Sequence, residues 1–517
     1  MHRFLHLGFA FLVCGAVDAG AATFVVTRQD DPAPNGCKPG DCSLREAAIA
    51  ANSNDPLGPR DVIQLAGLTY TLTAGELTMD QDLEIAGVGS AQTKIATDDS
   101  LVVSGTNGVA LYMHGLTMHP HDSQIRGSVE FDDVIVPLGG GNFYAGNSGD
   151  FTVDVEIRNS ILRGDFWCQQ KIGKCSITDS EMLSLTVALQ SPGPDVTLLR
   201  VTMDGAVSPA FSGIDLRSAS TLTIENSVIA NTVYGLGNFF VGGPEHVYLR
   251  DLSYHGNKGP VYFHAPAVVE VVDSEFRDNA ITTGSYHTSA PAAIWATDGS
   301  DWTISGSTFV GNTGASDAGG AVLVEEGAQL LIENSTFSNN SFTTDAAAAH
   351  ARGAAIGYYD DASITHVVVR HVTIAAPAIS AAGIVGTAIG GYGGESGLLL
   401  SVQNSIVRGS CGLDPGAMDA NLGNVESGGD TCDFGTGNLV NVSSGDLALG
   451  LLGDHGGPTQ TYEPGVNSVA LGAAGAGLCA PRDQRGYQRP YPDAEAGCDA
   501  GSVERGAEER VFANGFE

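Results

Sequence analysis

A patch of aromatic and basic side chains in the middle of the chain offers the chemistry of a saccharide site. Its members are Arg250, Tyr254, His255, Lys258, Tyr262 and His264, followed by Tyr286 and His287. Aromatic faces pack on sugar rings, and cationic side chains form charge-assisted hydrogen bonds with carboxylates. Lys258 is the only lysine after Lys174. The patch is therefore a candidate for a face that binds carbohydrate. An ordinary solvated surface has the same composition, and we favour this simpler interpretation.

The same patch contains what a polysaccharide lyase requires. β-Elimination needs a base such as Lys, Arg, His or Tyr, and a cation or positive side chain that neutralises the uronate. If the coils keep register, Tyr286 should lie one coil above His264, about 4.8 Å away. Nothing in the sequence singles out one of these residues as the base, so we assign no catalytic residue.

Other active sites lack support. A polygalacturonase-like hydrolase needs paired carboxylates with companion motifs, but Asp-Asp occurs at positions 98, 132 and 360 without them. No Gly-x-Ser-x-Gly occurs in a strand-to-helix context, and the cysteines look paired. The hydrolase and the nucleophile classes are therefore disfavoured.

The patch must be positioned by a recurring sequence motif. In this motif two short strands flank a short polar segment, here called the polar step. The motif is clearest at residues 330–340 and recurs at 155–162, 222–229, 269–279, 302–312 and 400–407. Each copy alternates apolar and polar residues, and none can bury its apolar face alone, so successive copies must stack. The spacing predicts an all-β fold, a right-handed parallel β-helix. Its coils would build a rod on the order of 60 Å long.

An Asn or Asp follows the polar step by five residues in several copies. The residues are Asp165, Asn257, Asn279, Asn312 and Asn340. Asn accepts the left-handed conformation of a sharp corner, and its amide can bond the equivalent amide of the next coil. We therefore interpret these residues as structural.

Charge restricts the partners. The formal net charge is -35, which disfavours nucleic acid because phosphate binding needs a basic surface. No acidic run has the spacing of a calcium loop, so we expect no cofactor; structural or substrate-linked calcium stays an alternative that no motif supports. A polysaccharide or a molecule on a host or neighbouring cell is the partner class that we expect.

The N-terminus predicts export. Residues 1–21 combine Arg3, an apolar run and a small-residue cleavage site, as in a signal peptide. No later stretch approaches the length of a membrane span, so the mature chain should carry none. We expect an extracellular or cell-surface location in a bacterium, a Gram-negative one.

The cysteines outside the signal form local pairs. We predict disulfides for Cys37 with Cys42, Cys168 with Cys175, Cys411 with Cys432, and Cys479 with Cys498. A metal site is the weaker interpretation, because no pair has Cys-x-x-Cys spacing.

The first coils carry a family motif. Residues 42–47 spell Cys-Ser-Leu-Arg-Glu-Ala, with Ser43 and Glu46 placed as the capping box of a short helix that ends near Asn52. Residues 22–97 thereby resemble the CSLREA domain of exported bacterial proteins. The resemblance implies an N-terminal cap that leads into a β-helix at 98–408, and it transfers no catalytic residue.

The C-terminal region carries a second resemblance. Gly-Gly-Pro-Thr begins at Gly456, Asp-Gln-Arg-Gly at Asp483, Arg-Pro at Arg489 and Cys-Asp-x-Gly-x-x-Glu at Cys498. Residues 409–504 are similar to the choice-of-anchor Q domain of bacterial surface β-helix proteins. Residues 505–517 form a tail that resembles short Phe-x-x-Gly-Phe-Glu endings on exported proteins, and we interpret it as a sorting motif or a frayed terminus.

Together these features predict an exported, non-enzymatic β-helix protein with an adhesive or structural role. The alternatives are a carbohydrate-binding protein or polysaccharide lyase that uses the 248–287 face, and a secreted effector or inhibitor.

Overall fold

A computed structural model describes most of the chain. The described residues are 21–54, 58–97, 101–103, 109–119, 122–139, 141–146, 152–169, 172–188, 193–207, 212–237, 243–264, 266–281, 290–315, 319–343, 353–359, 365–376, 384–385, 387–392, 398–413, 417–475, 477–490 and 497–507. The predicted signal peptide, except for its last residue, and the end of the tail from 508 lie outside them.

Short strands dominate the architecture. In the N-terminal half they are β1 (Thr23–Val25), β2 (Asp61–Gln64), β3 (Thr69–Leu72), β4 (Leu77–Met79), β5 (Leu83–Ala86), β6 (Lys94–Thr97), β7 (Leu101–Val103), β8 (Leu111–His119), β9 (Ser123–Ile125), β10 (Val129–Val136), β11 (Phe143–Ala145), β12 (Val153–Arg158), β13 (Ile161–Cys168), β14 (Ile172–Thr178), β15 (Glu181–Val187), β16 (Asp195–Leu199), β17 (Thr202–Asp204), β18 (Gly213–Leu216), β19 (Ala219–Glu225), β20 (Val228–Ala230), β21 (Leu236–Gly237), β22 (Pro244–Arg250) and β23 (Ser253–His255).

The C-terminal half continues the pattern. Its strands are β24 (Val261–Tyr262), β25 (Val268–Val272), β26 (Glu275–Arg277), β27 (Ile294–Ala296), β28 (Asp301–Ser305), β29 (Thr308–Val310), β30 (Thr313–Gly314), β31 (Val322–Val324), β32 (Gln329–Glu333), β33 (Thr336–Ser338), β34 (Ser341–Thr343), β35 (Ile356–Tyr359), β36 (Thr365–Arg370), β37 (Thr373–Ala375), β38 (Ile384–Val385), β39 (Ile389–Tyr392), β40 (Leu398–Gln403), β41 (Ile406–Arg408), β42 (Met418–Leu422), β43 (Val425–Ser427), β44 (Leu439–Val442), β45 (Leu449–Gly453) and β46 (Thr461–Pro464). Among the described residues the helices are α1 (Leu44–Asn52) and α2 (Ser444–Leu447), with one 3₁₀ turn at Gly205–Val207.

Parallel pairing between successive coils arranges most of these strands in three long sheets, while β30, β34 and β38 form a small sheet of their own. Sheet I runs β1, β2, β5, β8, β10, β12, β14, β16, β19, β22, β25, β28, β32, β36, β40 and β42. Sheet II runs β3, β6, β8, β10, β13, β15, β17, β20, β23, β26, β29, β33, β37, β41, β43 and β44. Sheet III runs β4, β7, β9, β11, β13, β15, β18, β21, β24, β27, β31, β35 and β39. The chain therefore winds as a parallel β-helix, as the repeat predicts.

The polar step of the repeat is the corner between sheets I and II. The residue at the turn is left-handed, with φ of 49° at Asn159 and 47° at Asn334. The serine that follows points inward, where Ser160 Oγ accepts the N–H of Val134 in the neighbouring coil at 3.1 Å. Ser160 Oγ also donates to the carbonyl of Arg158 at 2.6 Å. The recurring serine thus satisfies a backbone donor that the ladder leaves open at the corner.

The asparagines form a second corner, at the end of sheet II. Asn279 Nδ2 donates to Asn312 Oδ1 at 2.8 Å, and Asn312 Nδ2 donates to Asn340 Oδ1 at 2.9 Å. This confirms the predicted ladder of amides, which begins with Asn257 accepting from Thr232. The left-handed residue is one position earlier than predicted; it is Asp278 before Asn279, for example.

Asp165 does not belong to that ladder. It lies within β13, and its carboxylate accepts from Ser184 Oγ at 2.5 Å. Its position relative to the polar step matches the asparagines, but its coil continues as a strand instead of turning.

Inward positions form one continuous core. Ile157, Ile177, Leu198 and Ile224 are paired in register and are almost completely buried. Each such side chain contributes about 1.5–3 kcal/mol through burial.

A short helix closes the N-terminal end. The Ser43 hydroxyl accepts from the N–H of Glu46, and the Glu46 carboxylate accepts from the N–H of Ser43 at 2.9 Å, which confirms the capping box. Leu44, Ala47 and Ala51 are buried beneath it. The helix covers the first coil, whose edge would otherwise pair with other chains.

Three predicted disulfides are bonded, and one pair is not. The bonds are Cys37–Cys42, Cys411–Cys432 and Cys479–Cys498. Cys168 and Cys175 are free thiols with their Sγ atoms 2.8 Å apart in the core. The structure therefore brings the fourth pair together without the bond that we predict.

The described residues of 449–507, here called the strap, return along the outside of sheet II. The strap opens with an antiparallel hairpin of β45 and β46. The hydroxyl of Tyr462 in β46 lies 2.7 Å from that of Ser338, whose strand β33 belongs to sheet II. The strap thus covers the C-terminal part of this sheet.

Candidate functional site

The predicted carbohydrate residues are spread around the coil. Arg250 ends β22 on the outside of sheet I. Its guanidinium pairs with Glu270 at 3.0 Å and lies 5.2 Å from the ring centre of Tyr248. This group is an exposed ion pair with an aromatic neighbour on one flank of the rod.

Tyr254 is not a surface residue, which corrects the prediction. Its side chain points into the core, is completely buried, and packs on Phe276 with ring centres 5.6 Å apart. The hydroxyl donates to the carbonyl of Gly259, and burial raises the pKa of the phenol. A tyrosine in this place stabilises the stack that Phe309 and Phe337 continue.

His255 and Lys258 face other directions. His255 is outward on sheet II, paired in register with Arg277 of the next coil. Partial burial, and secondly the Arg277 charge, lower the pKa of His255. Lys258 is exposed just after the buried corner residue Asn257. Neither side chain is on the same sheet as Arg250.

Tyr262 and His264 belong to sheet III. Tyr262 stacks on Trp295 with ring centres 4.8 Å apart, and its ring meets the His264 ring edge-on at 4.7 Å. His264 Nδ1 lies 2.8 Å from the Asp298 carboxylate. Tyr286 and His287 lie outside the described residues, and the residue paired with Tyr262 in the next coil is Trp295. The six described candidates therefore do not form one site, although two of them, Tyr262 and His264, share sheet III with an aromatic partner that the sequence prediction missed.

Sheet III carries an outward column with a different composition from the other faces. Pairing places Gln124, Tyr144, Trp167, Thr186, Asp215, Gly237, Tyr262 and Trp295 in one register. We call Tyr144, Trp167, Tyr262 and Trp295 the aromatic column; of these, Tyr262 is buried, at 4% exposure. Tyr144 and Trp167 are half-buried with ring centres 5.9 Å apart, so part of each ring faces solvent.

A charged pair flanks the accessible end of the column. The Arg217 guanidinium lies 5.4 Å from the ring centre of Trp167. Arg217 Nε also donates to Asp215 at 2.9 Å. A flat ring bordered by hydrogen-bonding groups is suited to a sugar, whose apolar face packs on the ring while its hydroxyls bond the rim.

The C-terminal motif residues form a buried network instead of a reactive site. Gln484 Nε2 donates to the hydroxyls of Thr308 and Thr459, both at 2.9 Å. Its Oε1 accepts from Thr336 Oγ1 at 2.6 Å. This one amide joins two coils of sheet II to two segments of the strap.

Two buried ion pairs surround that amide. Asp483 and Arg485 meet at 2.8 Å with almost no side-chain exposure, and Arg489 meets Glu504 at 3.5 Å. Burial lowers the pKa of the Arg489 guanidinium, and the Arg489 Nε has no hydrogen-bond partner among the described residues. Buried, paired charges of this kind hold segments in place and cannot meet a substrate.

His371 completes the contact between strap and coil. It is the left-handed corner residue of its coil and is fully buried. Its Nε2 accepts from the N–H of Ala480 in the strap at 3.2 Å. Burial, and secondly the Arg489 charge, lower the pKa of His371 to about 2, so it is neutral at physiological pH.

Among the described residues no cluster of three or more His, Cys, Asp or Glu is arranged to hold a metal ion. A hollow of about 30 Å³ beside Arg163, Glu181 and Asp204 has room for roughly one water molecule. In the described part of the chain, no helix is both long and apolar enough to span a bilayer.

Comparison with known proteins supports the fold. A family model for the right-handed β-helix region matches residues 194–374. Together with the parallel ladders, it makes the fold a right-handed parallel β-helix. No curated protein matches the chain.

Two solved structures match the chain at low identity and low TM-score. The crystal structure of pectate lyase Pel9A is 14% identical, covers 94% of this chain and 98% of its own, and has a TM-score of 0.27. The catalytic domain of GH87 α-1,3-glucanase in complex with nigerose is 12% identical, covers 84% of this chain and 70% of its own, and has a TM-score of 0.24. At these TM-scores neither likeness bears on what this chain does.

Proposed function

We propose that the chain is an exported, non-catalytic β-helix protein of the cell surface or medium that binds saccharide chains along sheet III. The aromatic column is the observation that carries this proposal. The three disulfides support export, because such bonds persist in oxidising compartments. The adhesive role and the two family resemblances remain predictions.

The contrast between two faces of the same coils supports the choice of sheet III. Where one coil presents Glu130 outward on sheet I, it presents Tyr144 on sheet III, and the next coil presents Glu156 and Trp167. Outward sheet positions that meet only water are usually polar. Partly exposed Tyr and Trp rings in adjacent coils therefore support a ligand on this face, because such rings are stabilised when an apolar surface covers them.

The spacing of the column suits a polymer. Successive coils are about 4.8 Å apart, so Tyr144 and Trp167 offer one ring per coil along the rod axis. Arg217 beside Trp167 adds a donor for a sugar hydroxyl or carboxylate. A glycan that lies parallel to the axis would meet these groups in turn.

A polysaccharide lyase is the second candidate. The specific observation in its favour is the His264–Asp298 pair next to Tyr262, since a carboxylate can orient an imidazole that acts as a base. The same experiment distinguishes the two functions.

A glycan array probed with the mature chain tests both. We expect binding to at least one polymeric saccharide, weakened about tenfold or more by Trp167→Ala and by Tyr144→Ala, because buried aromatic anchors dominate binding free energies. Ultraviolet absorbance of each hit follows the unsaturated product of β-elimination, and a rise that is lost in His264→Gln would support the lyase.

Tyr248→Ala is the matched control. Tyr248 also lies beside an arginine, Arg250, but on sheet I. Equal losses in the sheet I and sheet III variants, or silence on the whole array, would overturn the proposal.

A further inference from the structure

The charged pair beside Trp167 is positioned by sheet III itself. Asp215 lies in the outward register of the aromatic column, one coil beyond Thr186 and two beyond Trp167. Arg217 follows two residues later, and its guanidinium reaches back to the Trp167 ring, 5.4 Å from the ring centre. Its Nε donates to the Asp215 carboxylate at 2.9 Å. A cation, a carboxylate and a flat ring therefore meet at one place on the column.

The pairing determines which ligand groups this place can accept. The side chains of Arg217 and Asp215 are 31% and 14% exposed, so the pair is partly shielded from water. A carboxylate brought by a ligand would meet the charge of Asp215 as well as that of Arg217, and the repulsion offsets the attraction. A hydroxyl group can donate to a carboxylate or accept from a guanidinium without adding charge. The pair therefore suits hydroxyl groups better than carboxylates.

Carboxylates also surround the far end of the column. Trp295 Nε1 donates to Glu325 Oε1 at 2.6 Å, and the Asp298 carboxylate lies 2.8 Å from His264 Nδ1. Burial first, and then nearby carboxylates with Asp298 foremost, raise the pKa of the Tyr262 phenol. The negative potential thus reaches the Tyr262 ring. An acidic sugar at this end would be repelled as well.

We propose that sheet III selects uncharged polysaccharides and rejects those that carry uronates, with the Asp215–Arg217 pair as the specificity determinant. The selectivity rests on the saccharide binding proposed above and defines the class of saccharide. A neutral sugar ring packs its apolar face on Trp167 and places its hydroxyls on the two charged partners. The formal net charge of -35 acts in the same direction over longer distances, because it repels polyanions as they approach.

A matched set of polymers tests the selectivity. Each acidic polysaccharide, polygalacturonate among them, is offered to the mature chain beside its carboxyl-reduced, neutral form. We expect every pair that binds to favour the neutral form by about tenfold or more, because like charges brought together are costly. Affinity for the neutral form should change by less than about twofold over roughly 0.05 to 0.5 M salt, because salt screens only interactions between charges.

Asp215→Asn is the decisive variant. It keeps the shape of the side chain but leaves the Arg217 charge uncompensated, so affinity for the acidic forms should rise about tenfold and affinity for the neutral forms should change by less than about threefold. A misfolded chain would not gain affinity. Arg217→Gln should weaken neutral binding about tenfold without strengthening acidic binding. In the matched control, Asp195→Asn removes the same charge from sheet I and should alter neither affinity.

The possible outcomes distinguish the selectivity from the saccharide binding on which it depends. Silence with every polymer, acidic and neutral, would overturn both. Equal or tighter binding of the acidic forms would leave the binding in place, overturn the selectivity and favour the lyase. An Asp215→Asn variant that gains no affinity for the acidic forms would show that the ion pair is not the determinant.

Discussion

Sheet II is built in two ways along its length. In the open part, Thr202, Ser253 and Glu275 point outward into solvent. Under the strap, the equivalent positions of later coils are Thr308 and Thr336, which are completely buried and hydrogen-bonded.

The backbone register is continuous across the boundary. Glu275 pairs directly with Thr308, which pairs with Thr336. The backbone ladder therefore does not determine whether an outward side chain is solvated or buried. The segment that covers the sheet determines it. Short hydroxyl side chains recur under the strap because they fit beneath it and still satisfy its polar groups.

Replacing an arginine should produce the largest difference in stability between the two parts. Arg489→Met leaves Glu504 buried without its cation, a change that typically lowers stability by about 3–5 kcal/mol. Arg277→Met in the open part removes an exposed contact with Glu275 and should change stability by less than about 1 kcal/mol. Urea denaturation midpoints measure both, and limited proteolysis should show the strap released in the first variant. Equal midpoints would show that the strap is not held by its buried charges.

The next largest difference should be in the pH dependence of stability, through one histidine in each part: His371 under the strap and His255 in the open part. His371, near Arg489 and Arg370, has its pKa lowered to about 2 in the folded chain, against roughly 6.5 in the unfolded chain. Between these values the unfolded state binds a proton that the folded state excludes, so stability should fall as pH falls, by up to about 1.4 kcal/mol per pH unit.

The variant His371→Gln should remove most of that slope. The pKa of His255, in the open part, is lowered for the same first reason, so His255→Gln should act with the same sign and a smaller size. Thermal unfolding followed from pH 7 to about 4.5 gives both slopes. An unchanged slope in His371→Gln would mean that other groups carry the acid sensitivity.

The smallest effect is expected from a single hydroxyl. Thr336→Val leaves Gln484 Oε1 without its donor and should destabilise by about 1–2 kcal/mol. Thr202→Val makes the same substitution in the open part and should lie within about 0.5 kcal/mol of the parent, since surface changes usually do. Equivalent unfolding midpoints for the two valine variants would remove the distinction between the parts.

Much of the fold could be predicted because its elements are local. The Asn corner, the capping box and three of the disulfides depend on contacts within a coil, between adjacent coils or within one terminal segment. The bond between Cys168 and Cys175 stays a prediction, and titration of free thiols after oxidative folding decides it. Eleven consecutive residues, 330–340, are enough to show the repeat, but not to show which of its positions turn left-handed.

The candidate site could not be predicted in the same way. One coil turns through three sheets, so Arg250, His255 and Tyr262, close in sequence, face three directions. Residues about one coil apart, such as Tyr144 and Trp167, become neighbours instead. A comparison of residues one coil apart in the sequence could have identified the aromatic column. The burial of the strap motifs could not be predicted from the sequence, because Gln484 and its partner Thr308 are 176 residues apart.

That separation has a consequence for the order of folding. Each coil pairs with a neighbour only a few dozen residues away, so coils can be added one after another from the helix-capped end. Gln484 reaches back 148 residues to Thr336, and its partners exist as a surface only when several coils have already stacked. Closing so long a loop is slow because it costs chain entropy. The loop also gains no stabilising contacts until the coils that it packs on have stacked. The strap should therefore be the last part to fold, and its closure would mark chains in which those coils have stacked in register.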